Sequence, residues 1–287
     1  MQIDPLTPKS NSPFQSDFFT QVTHSDKPIL QMENLVVQTA FLKSCPKPIS
    51  LLLIGQAGIG KTRLLSPLSK LREVSYVNDI TPKYLVEFLG QAKNGKKRFL
   101  VIPDFTNCMS HGKSTRNTLI AILRSMTEEG VSDLSSYHLE FKSEKPVRAG
   151  LITATTSSSF EMFHRAWKGT GFLSRLLPFS FSHCIATTEG IMDAIDSKRT
   201  DPILDVKLSV VRKPKPVICS EVLLRQLRVC EEMLSKSTGS LPYRPQVQLN
   251  SITEALATLK GERAVSQEDI DTVFWLSKWI NYDFNEL

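Results

Sequence analysis

The period of the hydrophobic positions changes repeatedly along the chain. Residues 49–54 (ISLLLI) form a nearly unbroken apolar run, as a strand buried on both faces requires. Similar short runs predict strands at 74–77, 98–102 (RFLVI), 147–156 (VRAGLITATT) and 179–185 (FSFSHCI). Between them the spacing turns helical. Leu35, Val36, Ala40, Phe41 and Leu42 predict a helix leading into the core. Leu64, Leu65, Leu68 and Leu71 predict another, broken at Pro67. Thr81-Pro82 is an N-cap followed by proline at the first helical position, with Tyr84, Leu85, Phe88 and Leu89 as the apolar face. Ser114 is the expected cap of a helix carrying Leu119, Ile122, Leu123 and Met126, which stops at Gly130. Residues 137–141 and 146–155 are expected to pair as a hairpin.

Alternating strands and helices imply a parallel sheet with helices on both faces, hence an α/β fold with a three-layer αβα core over 31–187. Residues 1–30, rich in Ser, Thr and Pro, read as a loosely docked arm. Residues 188–218, with the proline-spaced VRKPKP, read as a linker. The remainder, 219–287, reads as a small all-helical domain. One helix starts at Ser220 with Leu223, Leu227, Cys230 and Leu234. A second runs from Pro245 to Gly261, and a third follows Ser266, whose spacing to Asp269 is that of a capping box.

Composition narrows the class. The chain has 287 residues, 41% hydrophobic and 22% charged, with no stretch resembling a membrane span or a secretion signal, so cytoplasmic residence is expected. Cys45, Cys108, Cys184, Cys219 and Cys230 form no C-x-x-C pair, which argues against a zinc site and a disulfide framework. A net charge of +6 suits a nucleic-acid partner without establishing one.

The strongest chemical signal is GQAGIGKT, which matches G-x-x-x-x-G-K-[ST]. Gly55, Gly58 and Gly60 free the backbone to curl its N–H groups around phosphate oxygens, with Gln56, Ala57 and Ile59 between them. Lys61 is expected to reach the β- and γ-phosphates, Thr62 to ligate magnesium, and Arg63 to follow on the new helix. A buried strand before and an apolar-periodic helix after supply the context a phosphate loop needs. ATP, or else GTP, with Mg2+ is the expected ligand. In RFLVIPDF a second strand delivers Asp104 to its end, as a magnesium-linked carboxylate requires, although an Asp there also serves as a helix cap. Phe105 follows it, so the base that polarises the attacking water must lie elsewhere, with Glu128 or Glu129 as candidates; otherwise hydrolysis is slow.

On these motifs the chain resembles the AAA+ ATPases of the P-loop NTPase superfamily, over about residues 31–285. The style is that of helicase, enhancer-binding and mobile-element members. The resemblance implies a P-loop NTPase core with a helical lid, and it implies site residues. VRAGLITATT is similar to the sensor-1 strand, placing Thr156 at its tip with Thr155 as fallback where the family more often has Asn; the alternative is that threonines simply favour strands. GFLSRLLPFSF is similar to the segment bearing the arginine finger, placing Arg175 in that role. Arg244, in LPYRPQ, matches sensor 2. For Arg175 and Arg244 the alternatives are a surface ion pair and an ordinary helix-flanking arginine. A finger supplied by a neighbour implies a homo-oligomeric ring or arc.

Two basic clusters, Lys93/Lys96/Lys97/Arg98 and Arg212/Lys213/Lys215, read in the ordinary case as solvated faces, but lining the pore of a ring they would contact phosphates. The mixed-charge hairpin around Tyr137–Lys145 sits where the resemblance implies a DNA-contacting loop. Three functions stay open. The first is an oligomeric ATPase acting on DNA in replication, transposition or mobile-element maintenance. The second is a protein-remodelling or regulatory ATPase, and the third an ATP-binding switch with weak hydrolysis. DNA-stimulated turnover selects the first, partner-stimulated turnover without DNA the second, and tight binding with negligible turnover the third.

Overall fold

Alternation within short apolar strands decides the layering of the molecule. A computed structural model describes residues 26–136, 139–183, 185–198, 202–238 and 243–280. In chain order the elements are α1 (Lys27–Thr39), β1 (Ser50–Gly55), α2 (Lys61–Leu65), β2 (Val74–Tyr76), α3 (Pro82–Lys93) and β3 (Phe99–Ile102). They continue with α4 (Phe105–Ser110), α5 (Lys113–Thr127), β4 (Val131–Ser136), β5 (Leu139–Val147), β6 (Gly150–Thr156) and α6 (Ser157–Gly169). Then come β7 (Leu176–Ser180), α7 (Ile185–Asp196), α8 (Glu221–Thr238), α9 (Tyr243–Lys260) and α10 (Gln267–Ser277).

Five strands form one parallel sheet in the order β2-β3-β6-β1-β7. Leu51 and Leu53 of β1 point into an apolar cluster with α1, α9 and α10. Leu52 and Ile54 point into a second cluster with α3 and α5. The same split divides Phe99 and Val101 from Leu100 and Ile102 in β3. Both faces are therefore covered, as a parallel sheet demands. The C-terminal region is mostly helical, and its Leu249, Ile252 and Val273 belong to the same cluster as Leu51 and Leu53. A capping box at Ser266, with Asp269 returning the bond, starts α10 as its spacing predicts.

Several expectations change. The hairpin is β4 with β5, an antiparallel pair outside the main sheet, while β6 lies between β3 and β1. Gly130, at φ +87°, turns the chain out of α5 straight into β4. Polar VSDLSS hides that strand from a search for apolar runs; in a two-stranded ribbon the backbone ladder, more than burial, holds it. The fifth strand, expected at 179–185, is β7 at Leu176–Ser180: it starts earlier because Pro178 is tolerated at the sheet edge, and it ends at Ser180, with α7 already begun at Ile185. The stretch read as linker contains most of α7 and a 3-10 turn at Pro202–Asp205. α4 and α6 were not foreseen, although Phe160, Phe163 and Trp167 stand at helical spacing. α5 is capped from Gly112 rather than Ser114. α2 ends before Pro67 and continues as a 3-10 segment, Ser66–Lys70. Most of the expected arm, Tyr137 of the hairpin and Cys184 lie outside the described residues.

Candidate functional site

The expected site residues separate into two groups at opposite ends of the sheet. At the carboxyl ends of the strands, β1 delivers the chain into the loop 55–62. Gly58 and Gly60 take φ +78° and +89°, backbone that a side chain would strain. A Cβ on Gly55 would stand 3.2 Å from both Ile59 and the Phe181 carbonyl, so the start of the loop admits only glycine without a shift. Gln56, Ala57, Gly58 and Thr62 are exposed, and Ile59, Gly60 and Lys61 are half-buried. The Lys61 ammonium donates to the Gly55 and Gln56 carbonyls at 2.9 and 2.7 Å, which holds it across the mouth of the loop. Burial pushes its pKa down and the charge of Asp104 pulls it partly back, so the two side chains share one electrostatic environment.

Asp104 ends the segment after β3 and caps α4, its Oδ1 accepting from the Thr106 N–H at 2.9 Å. Oδ2 accepts no hydrogen bond among the described residues. Phe105 is fully buried, stacked on Phe172 with centroids 5.6 Å apart and edge-on to Trp167. The position after Asp104 thus serves the core. Thr156 pairs with Gly55 in the sheet register, beside the start of the loop. It caps α6, and its hydroxyl bonds Ser159 Oγ at 2.9 Å, which in turn accepts from Thr106 at 3.3 Å. The Asp104 and Thr156 caps are thereby linked through one serine. Thr155 turns into the interior, its hydroxyl buried with no hydrogen-bond partner among the described residues.

Sequence reasoning did not find the acid behind this loop. Asp26, wholly buried, receives both terminal nitrogens of Arg63 at 3.3 Å and lies 3.7 Å from His183 Nε2. It anchors the residue directly after Thr62. It falls in the stretch read as a loosely docked arm, whereas in the structure it is the N-cap position of α1, so no local signal distinguishes it.

The second group lies at the amino ends of the strands. Arg175 directly precedes β7, whose first residue Leu176 pairs with Ser50 at the start of β1. The loop follows the far end of that strand, ~20 Å away at about 3.3 Å per residue. Arg175 Nη2 donates to Glu129 at 3.1 Å. Glu129 is held below its ordinary pKa by its own backbone N–H, offset by slight burial and aided by Arg175. Glu128 pairs with Lys47 and, at 3.3 Å, with Arg244, which also donates to the Ser174 carbonyl at 2.7 Å. A cavity of about 220 Å³ opens beside Lys47, Glu128, Arg175 and Arg244. Within one chain, then, loop, Asp104 and Thr156 come together, whereas Glu128, Glu129, Arg175 and Arg244 are not brought to the loop. A scan against protein-family models finds no match for this chain, and a search of curated proteins finds none either.

Proposed function

We propose that the chain is an ATP-binding and hydrolysing P-loop protein of the AAA+ type, with αβα core and helical lid, that works as a homo-oligomer on DNA. The observation that carries this reading is the glycine-rich loop at the carboxyl end of β1, with Lys61 folded across its mouth. Residues 55–63 supply the phosphate cradle. The bonds from Lys61 to two loop carbonyls exchange for phosphate oxygens when the polyphosphate enters. The fit to Mg2+ is supported by the exposed Thr62 hydroxyl and by Asp104, whose second carboxylate oxygen accepts no hydrogen bond among the described residues. Magnesium, when bound, neutralises charge on the phosphates. Thr156 orients groups at the far side of the cradle through its contact with Ser159.

Arg175 and Arg244 act on a neighbouring subunit's nucleotide, because each is held at the opposite end of its own sheet. Glu129, paired with Arg175, travels with it and is the remaining carboxylate available to a neighbour's site. A second reading, a nucleotide-dependent switch with slow turnover, is favoured by one observation: Phe105 is locked in the core where a base would follow Asp104.

Lys61→Ala tests the carrying observation. The variant is expected to keep its circular-dichroism spectrum and to lose detectable ATP affinity by titration calorimetry. Retained affinity would remove the site. In the wild type, turnover that rises with DNA supports the first reading, and tight binding without turnover the switch.

A further inference from the structure

Two basic clusters far apart in sequence meet at the amino ends of β2 and β3. Gly95, at φ +68°, turns the chain at the end of α3 so that Lys96 reaches the rim of a cavity of about 380 Å³. Arg98 enters from the start of β3, Arg72 from before β2, and Arg212 from the segment ahead of α8. These four cations face one carboxylate, Glu73.

The guanidiniums are held in place rather than left free. Glu73 Oε1 accepts from Arg72 Nε at 2.7 Å and from Arg212 Nε at 2.6 Å, and Oε2 accepts from Arg212 Nη2 at 3.3 Å. Arg98 Nη1 donates to the Ala40 carbonyl at 2.8 Å, and its guanidinium lies 4.7 Å from the centroid of the Phe41 ring. Burial raises the Glu73 carboxyl, but the bonds from Arg212 and Arg72 override this and bring it down to about 2, so it stays charged at neutral pH. One anion cannot neutralise four cations. Among the described residues the Lys96 ammonium has no ion-pair partner, and the remaining N–H groups of Arg72 and Arg98 donate to no further protein acceptor.

We infer that this cavity binds the phosphate backbone of a nucleic-acid strand, with Arg72, Lys96, Arg98 and Arg212 as its phosphate contacts. Three of the four cations are arginines, whose planar forks match phosphate oxygens, and they are ordered before any ligand arrives. The chain's excess of 35 basic over 29 acidic residues favours the same partner class. The choice of nucleic acid over other polyanions rests on the reading proposed above and names a surface for its load. The residues themselves are separate from the phosphate loop, at the opposite ends of the strands, so ATP and the strand bind without competing.

The test is fluorescence anisotropy of a labelled oligothymidylate with the full chain, titrated at several salt concentrations with and without Mg-ATP. Arg72→Ala/Lys96→Ala is expected to weaken binding on the order of tenfold and to lower the salt slope by about 0.7 per contact removed. Lys96→Glu, at an exposed and unpaired position, is expected to shift affinity the same way with unchanged melting temperature. Unchanged affinity and slope in both variants overturn the proposal. So does displacement of the oligonucleotide by poly-glutamate at equal charge concentration, which assigns the cavity to an acidic polypeptide. Lys61→Ala separates the two readings: oligonucleotide binding retained while ATP is lost supports two distinct sites. If the wild type fails to bind ATP yet the cavity variants behave as expected, the ATPase reading falls and this one stands.

Discussion

Glu33 shows how far a single side chain departs from its ordinary chemistry in this interior. It is wholly buried on α1, neither carboxylate oxygen has a hydrogen-bond partner among the described residues, and burial, reinforced by the charge of Asp26, raises its pKa well above 4.5. The folded state therefore keeps a proton that the unfolded chain releases above pH 4.5. Stability from this group is full below that value and falls as pH rises towards the folded pKa, by at most about 1.4 kcal/mol per pH unit. Urea denaturation from pH 5 to pH 8 is expected to show wild type losing stability relative to Glu33→Gln across that window. Parallel curves would mean that Glu33 ionises normally. Residue 105 carries the converse lesson: the same stretch that supplies Asp104 to the site commits the next side chain to packing.

At the scale of elements, Gly150 fixes how β6 lies against β3. It pairs with Phe99 in the register, and a Cβ there would come within 2.1 Å of the fully buried Phe99 ring. Gly150→Ala is expected to cost about 1–3 kcal/mol through overpacking, read as a lower denaturation midpoint at unchanged m-value. A wild-type midpoint would show that the ring moves aside freely. What was legible beforehand follows from burial. Strands covered on both faces, such as ISLLLI and FLVI, announce themselves by continuous apolarity, and the loop between β1 and α2 by its glycines. Polar VSDLSS gave no such signal, and a proline inside β7 argued against the strand that contains it. Of the candidate site residues, Asp104 stands out in the sequence as the polar end of an apolar run, whereas Thr156 is singled out only by the family resemblance. The pairing of Arg175 with Glu129 and of Asp26 with Arg63 depends on tertiary contacts that no local pattern encodes.

For the whole molecule, the separation of the two groups of site residues has a kinetic consequence under the proposed ATPase reading. If each active centre joins one subunit's loop to a neighbour's Arg175, turnover per chain rises with protein concentration. Arg175→Ala is expected to retain ATP binding and to lose roughly 10³–10⁵ in turnover. Mixing Arg175→Ala with Lys61→Ala chains is expected to restore part of the activity, because some interfaces then combine an intact loop with an intact arginine. Absence of recovery at every mixing ratio would put the arginine outside catalysis.

The closing turn after α10 bears on how copies meet. Ile280 bridges antiparallel to Phe179, and the Trp279 carbonyl accepts the Ser180 N–H at 2.8 Å, so the outer margin of β7 is already engaged at its end. Pro178 lacks a donor for the same margin. Extension of the sheet by a further backbone strand is therefore hindered on that flank, where the 178 position offers no donor and the 180 donor is already taken.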